Sequence, residues 1–372
     1  MGFMAKRDKA KEVVWAPGFL YNLGASGPAC LSLKSRYKRK VMNCVTNRSA
    51  GWERCLGWMR AGALAAALGF GCPGTLPAAF LDLNGGARPV GMGGAFSAIA
   101  DDSNAPLYNP AGIVQVQWNE FSANYANLYS GLTLYAGDDA TRLDQSYFAF
   151  ASRPIRRVGS LALSWANFNS SHLYHEDTLA LTYARNLGDF FPVLDNAFAL
   201  GINLKVLRRS VSLDAFTAGD PVFAGGDSAS AQTVDLGFLY KPPQGRLAGL
   251  RLALVGKNLT RPDVGFQAVD RVPLEGRLGI AYQSPRKPWL VPALDISRRN
   301  GVTGVAGGLE SWLFKNTLGL RGGANRDEAA AGLSYFQMLG KRFGLRLDYG
   351  FTIPFYVEES GGSHRLALTL YF

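Results

Sequence analysis

The chain has 372 residues and a formal net charge of +11. That charge sits in residues 1–79, which hold 12 Lys and Arg against 3 Asp and Glu; the rest holds 27 against 25, so a nucleic-acid-binding reading of the body has no electrostatic footing. Cys30, Cys44, Cys55 and Cys72 all precede residue 79, which excludes thiol chemistry and cysteine metal clusters from the body and suits an oxidising envelope compartment; no run of about 18 apolar residues follows residue 80, which excludes helical membrane spans there.

Residues 1–58 are basic, contain Pro and Gly and show no sustained periodicity, so they read as a disordered leader or an over-extended gene start. Residues 59–79 have the layout of a secretory signal peptide. Met59 stands where a natural start would be, Arg60 supplies the positive end, Ala61–Phe70 is a short apolar run, and Pro77-Ala78-Ala79 supplies small residues for cleavage near Ala78 or Ala79. Gly69-Phe70-Gly71 before Cys72 is a poor lipidation signal.

Residues 80–119 do not alternate like a strand. They are rich in Gly and Ala, with Asp101-Asp102 and Asn109-Pro110 as turn formers. Small residues let backbone approach backbone, so this segment is expected to be a plug within the mouth of a barrel formed by residues 120–372.

From Glu120 onward apolar residues fall on every second position. Phe198, Leu200, Ile202, Leu204 and Val206 alternate with Ala199, Gly201, Asn203 and Lys205; Leu345, Leu347, Tyr349 and Phe351 alternate with Arg346, Asp348 and Gly350. Strand side chains point to opposite faces in turn, so each segment has one oily face and one small or polar face. A soluble sandwich would carry Lys, Glu and Thr on its second face, whereas here Gly and Ala crowd it, which fits the packed interior of a barrel. Fourteen segments result, at about 120–129, 145–153, 158–167, 176–186, 197–208, 231–240, 249–257, 273–284, 289–297, 303–313, 317–323, 330–339, 343–352 and 364–372. An even count and connections that are often longer after odd segments, as at 130–144, 209–230 and 258–272, fit a bacterial outer-membrane barrel, with 187–196 long on the short side and 298–302 short on the long side as exceptions. Tyr125, Tyr129, Trp165, Tyr183, Tyr240, Tyr282, Trp289, Trp312, Tyr335 and Tyr349 near segment ends are expected to form interfacial girdles.

Eight charged residues share the non-oily parity: Lys205, Asp235, Arg251, Arg277, Asp295, Arg321, Arg346 and Asp348. On the lipid side at mid-depth an Arg or Lys would each cost about 2–4 kcal/mol, so these face the lumen and are expected to pair across it and with the plug. The chain closes on Leu366, Leu368, Leu370 and Phe372 alternating with Arg365, Ala367 and Thr369. That strand resembles the closing strand of outer-membrane barrels, whose terminal Phe belongs to the insertion signal.

The run Gly-Ala-Arg-Pro-Val-Gly-Met-Gly-Gly-Ala-Phe at 86–96, the Asp101-Asp102 pair and Asn109-Pro110-Ala111-Gly112 resemble the amino-terminal signature of the FadL superfamily, most closely its PorV/PorQ branch. Lys257-Asn258-Leu259, Val272-Pro273-Leu274 and Arg277–Tyr282 are similar to a mid-barrel stretch of that branch. The resemblance implies a fourteen-stranded all-β transmembrane barrel with an amino-terminal hatch that includes Gly91, Met92, Gly93, Gly94, Ala95, Phe96, Asn109, Pro110, Ala111 and Gly112. It further implies outer-membrane location, hatch-gated transport of fatty-acid-like hydrophobic molecules and contact with membrane lipid, with no cofactor, no metal, no nucleic acid and no enzymatic activity. The alternative it carries is a secretion-system barrel that shuttles or anchors secreted proteins at the cell surface.

Rival chemistry is weak. Gly91-Met92-Gly93-Gly94 lacks the third glycine and the preceding strand of a dinucleotide fingerprint. Asp101-Asp102 reads as a turn. His172, His175, Glu176 and Asp177 read as exposed outer-loop polarity in preference to a zinc or calcium site.

Overall fold

The computed structural model describes Phe80 and residues 85–372, apart from 133–141, 156–157, 172, 195, 214–218, 224, 243, 246 and 358–359. The two leader regions, all four cysteines and His172 lie outside the described residues.

The alternating segments become strands β1 Glu120–Leu128, β2 Leu143–Ala151, β3 Ser160–Ser170, β4 Tyr174–Asn186, β5 Phe198–Val211, β6 Ser228–Tyr240 and β7 Leu250–Lys257. They continue as β8 Glu275–Tyr282, β9 Leu290–Arg299, β10 Val302–Leu313, β11 Leu318–Asn325, β12 Glu328–Leu339, β13 Phe343–Pro354 and β14 Ser363–Tyr371. Each pairs antiparallel with its sequence neighbours. β1 also pairs with β14, from Glu120 opposite Tyr371 to Asn127 opposite His364, so the sheet is a closed fourteen-strand barrel and leaves no edge strand to seek a partner. Phe372 extends this pairing by exchanging backbone hydrogen bonds with Asn119, and its ring stacks on Phe150.

Side-chain parity separates two environments. Along β3, Leu161, Leu163 and Trp165 stand on the outer surface at 42%, 51% and 42% exposure, while Ser160, Ala162 and Ser164 are buried inside. Along β14 the outer set is Leu366, Leu368 and Leu370, and the buried set is Arg365, Ala367 and Thr369. The same partition runs through Phe150, Leu181, Leu204, Leu254, Ile280, Ile296, Leu320 and Leu347, all exposed on the outside. A contiguous apolar belt of this size is far beyond the patches that a water-soluble monomer shows. The buried core is instead within the barrel. Met92, Phe96, Ile99, Tyr108, Ile113 and Val116 pack there against wall alanines such as Ala151, Ala162, Ala184, Ala199, Ala253 and Ala281.

Three details depart from expectation. Trp312 is not part of an outer girdle: it shares the parity of buried Glu310, and the Arg321 guanidinium lies 5.2 Å from its ring centroid. His175, Glu176 and Asp177 are within β4 and not in a loop, because strand pairing with β3 and β5 satisfies their backbones whatever their side-chain polarity. Glu176 is buried, and Asp177 accepts hydrogen bonds from Trp165 Nε1 at 3.0 Å and Asn167 Nδ2 at 2.9 Å. The outer connections are also less uniformly long than the odd–even rule suggests. β3 and β4 are joined by residues 171–173, and β9 and β10 by Asn300-Gly301 alone. Both residues of that turn have positive φ, 48° and 80°, the conformation of a two-residue hairpin matched to strand twist.

Candidate functional site

The lumen is occupied by residues 85–116, folded as short helical turns: α1 Ala87–Val90, α2 Ala105–Tyr108 and a 3-10 turn over Pro110–Gln115. Local chemistry sets these turns. Pro106 and Pro110 stand at first helical positions, where a missing N–H costs nothing. The Asn109 side chain accepts from the Ala111 N–H at 3.0 Å and so caps the 3-10 turn. Its Nδ2 donates to the carbonyls of Ser97 at 3.0 Å and of Phe238 in β6 at 3.3 Å, tying the turn to the wall.

The expected hatch residues lie in this segment. Met92, Ala95, Phe96, Asn109 and Ala111 are fully buried, and Phe96 meets Tyr108 edge to face with centroids 5.4 Å apart. Gly91 touches Gly332 of β12, Pro110 touches β6 at Gly237, and Gly112 closes on Ala100. Gly93 and Gly94 turn the chain with φ of 64° and 85°. At Gly323 in β11 a Cβ would strike the Met92 carbonyl, so the wall there has to be glycine for the segment to lie flat on it. The interface is therefore backbone against backbone with little interdigitation of side chains.

Charge makes up for the lack of apolar interlocking. The Arg88 guanidinium grips Glu310 of β10 with both prongs, Nε to Oε2 at 2.8 Å and Nη2 to Oε1 at 2.7 Å. Its Nη1 reaches Asp101 at 2.7 Å and Asp102 at 2.8 Å. Asp102 also receives Arg346 Nη2 at 3.0 Å and the backbone N–H of Asn104 at 2.9 Å. Burial opposes ionisation of Asp102, but Arg88 and Arg346 outweigh it and hold the carboxyl well below its ordinary range. The chain of pairs continues through Arg321 to Glu310 at 2.6 Å and Arg346 to Asp348 at 2.7 Å, with the Ser334 hydroxyl between Arg321 and Asp348.

All eight charges expected in the lumen point inward, and they divide into three groups. Arg346, Arg251 and Asp295 reach the segment directly, through Asp102, through Asp101 at 3.4 Å, and through the backbone N–H groups of Phe96 and Ser97 at 3.3 and 3.0 Å. Arg321 and Asp348 act through Glu310 and Arg346. Lys205–Asp235 at 2.8 Å and Arg277–Glu275 at 2.7 Å close within the wall. Sequence reasoning missed Arg88 and Glu310, and it took Asp101-Asp102 for turn residues only. The available signals were a lone Arg inside a Gly- and Ala-rich run and the inner parity of Glu310.

Beyond Pro106–Tyr108, toward the end of the barrel that carries the long connections, a cavity of about 80 Å³ remains. It is lined by Leu107, Tyr108, Phe168, Leu207 and Phe80 together with Glu176, Lys205, Asp235, Lys257 and Arg277. Above it the connection 258–274 folds inward. Val264 and Val272 are fully buried against Leu207 and Phe80. Arg209 fastens this cap by pairing with Asp270 at 2.6 Å and lying 4.6 Å from the Phe266 ring centroid.

No protein-family model matches the chain, and no curated protein matches it. Among solved structures, the monoaromatic hydrocarbon channel CymD aligns at a TM-score of 0.50, with 12% identity over 77% of this chain and 96% of that one. This chain shares the fold of that channel. The toluene transporter TbuX of Ralstonia pickettii aligns at 0.48 with 12% identity, covering 77% and 96%, and the toluene transporter TodX of Pseudomonas putida at 0.42 with 13% identity, covering 76% and 96%.

Proposed function

We propose that this FadL-type barrel is an outer-membrane channel for hydrophobic small molecules in which residues 85–116 are the hatch. The outer belt would contact acyl chains, and the long-loop end would face the exterior. The observation that carries the reading is a lumen closed by a segment held through exchangeable ion pairs and smooth Gly–Ala contacts. Such a surface can slide or lift without tearing an interdigitated core. Hydrophobic solute would enter among Phe80, Leu207, Val264 and Val272 and collect above Leu107 and Tyr108. An apolar cavity that holds benzene measures about 150 Å³. The present 80 Å³ is too small for an aromatic ring, so passage requires the segment or the cap to move.

A reversible lock tests this. A Cβ on Gly279 would stand 3.0 Å from Ser97 Cβ, inside the roughly 3.5–4.5 Å of a disulfide, so a bridge forms once the segment backs off the wall by about half an ångström, and residues 80–372 carry no cysteine. The Ser97→Cys/Gly279→Cys double variant, made with the leader cysteines replaced, is expected to lose toluene uptake into proteoliposomes when oxidised and to regain it on reduction. Equal uptake by both redox forms rejects a moving hatch.

A further inference from the structure

Glu176 in β4 is a buried carboxylate, 9% exposed, with no Lys or Arg in direct ion-pair contact among the described residues. Its hydrogen-bond donors are the Tyr174 hydroxyl and the backbone N–H of Phe80, the latter at 2.9 Å. The two neighbouring guanidiniums act on it only from a distance, their direct partners being Asp270 for Arg209 and the Phe80 carbonyl at 2.7 Å and Glu275 at 3.9 Å for Arg299. A buried carboxylate without a cation in direct contact is costly, and one hydroxyl and one neutral peptide N–H compensate it only in part. Of the other inward carboxylates, Asp235, Glu275, Glu310 and Asp348 have a Lys or Arg within 4.0 Å, whereas Glu120 and Asp295, like Glu176, accept backbone N–H bonds, and those come from the lumen segment at Ser103, Phe96 and Ser97.

Phe80 is fixed on three sides: its nitrogen by Glu176, its carbonyl by Arg299, and its ring by Leu207, Val264 and Val272. Immediately before it in sequence come Pro77-Ala78-Ala79. Leader peptidases need small residues at the first and third positions before the cut. Cutting after Ala78 would place Leu76 at the third position, whereas cutting after Ala79 places Pro77 there and Ala79 at the first.

We propose that the Ala79–Phe80 bond is the processing site and that Glu176 is the receptor for the amino terminus it creates. This rests on the secretory reading of residues 59–79 and is independent of what the channel carries. Hydrolysis by an envelope leader peptidase adds water across the bond: the water oxygen joins the Ala79 carbonyl carbon as a carboxylate, and the Phe80 nitrogen leaves as an ammonium. Export precedes barrel folding, so the ammonium is already present when Phe80 docks. The 2.9 Å hydrogen bond then becomes a charge-assisted pair that gives Glu176 a cation in direct contact and pins Phe80 beneath the cap.

The full chain, produced in a Gram-negative host and extracted folded from the outer membrane, provides the test. Mass spectrometry of its amino-terminal peptide should read Phe80 as the first residue; a start at Ala78, Ala79 or elsewhere overturns the proposal and leaves the channel reading untouched. An amine-reactive ester at neutral pH should label the Phe80 α-amine at least tenfold more slowly in the folded barrel than in urea. Glu176→Gln should bring the folded rate to within about twofold of the unfolded one. Should Glu176→Gln fail to fold, a glycine inserted between Ala79 and Phe80 decides. It moves the ammonium by about 3.5 Å without touching the barrel, and it should deprotect the amine equally. Unchanged labelling in a folded variant overturns the pairing.

Discussion

At the residue scale, Arg88 is the one side chain of residues 85–116 whose loss strands the most buried charge. It meets Glu310, Asp101 and Asp102 together, and Glu310 keeps only Arg321 when it is gone. Removing one member of a buried pair costs about 3–5 kcal/mol because the remaining charge is uncompensated. Arg88→Ala should therefore loosen residues 85–116: planar-bilayer recordings should show openings that are rare in the parent, and the urea midpoint should fall. Arg88→Lys keeps the charge but cannot grip Glu310 with two parallel bonds, so its effect should be intermediate. If Arg88→Ala stays as closed and as stable as the parent, the segment is held by packing instead. The linear chain marked Arg88 as a lone cation and Glu310 as inward-facing, but not that the two meet. Arg88 and Glu310 are 222 residues apart, and no local rule joins them.

At the element scale, backbone pairing overrides side-chain polarity. β4 begins at Tyr174, two residues before the expected segment 176–186, and β9 runs on through Arg298 and Arg299 past the expected end at 297. Composition alone ended both strands early, because polar residues resemble loops until neighbouring strands are there to bond them. The cap 258–274 has its own device. The exposed Asp263 carboxylate accepts backbone N–H bonds from Gly265 and Asp270, each at 2.9 Å, and these hold its pKa below the ordinary value. A depressed folded pKa means the stabilisation is fully present above the ordinary value of about 3.9 and is lost as pH falls through the lower folded one. Hydrogen exchange of residues 263–270 should thus show no change in cap protection between pH 7 and 5 and a loss of it only below about pH 4. Asp263→Asn should abolish that acid step. A step near pH 6 would assign control of the cap to another group.

At the scale of the whole molecule, closure and parity act together. Fourteen strands joined end to end leave no backbone edge, so the outside can be uniformly apolar and the inside small and charged. Leu368 is on the outer face at 40% exposure, with Ala367 and Thr369 buried beside it. Leu368→Arg should lower unfolding stability in lipid vesicles by about 2–4 kcal/mol, read from urea titration followed by tryptophan emission. A neutral result would mean that this face is shielded from acyl chains. The sequence by itself determined the strand number, the two faces of each strand and the inward placement of the charges, because a period of two needs no information beyond nearest neighbours along the chain. Only the tertiary structure decided which charges meet, that Trp312 turns inward, and how residues 85–116 close the lumen. Those outcomes depend on register across a closed sheet, where residues hundreds of positions apart come within 3 Å of one another.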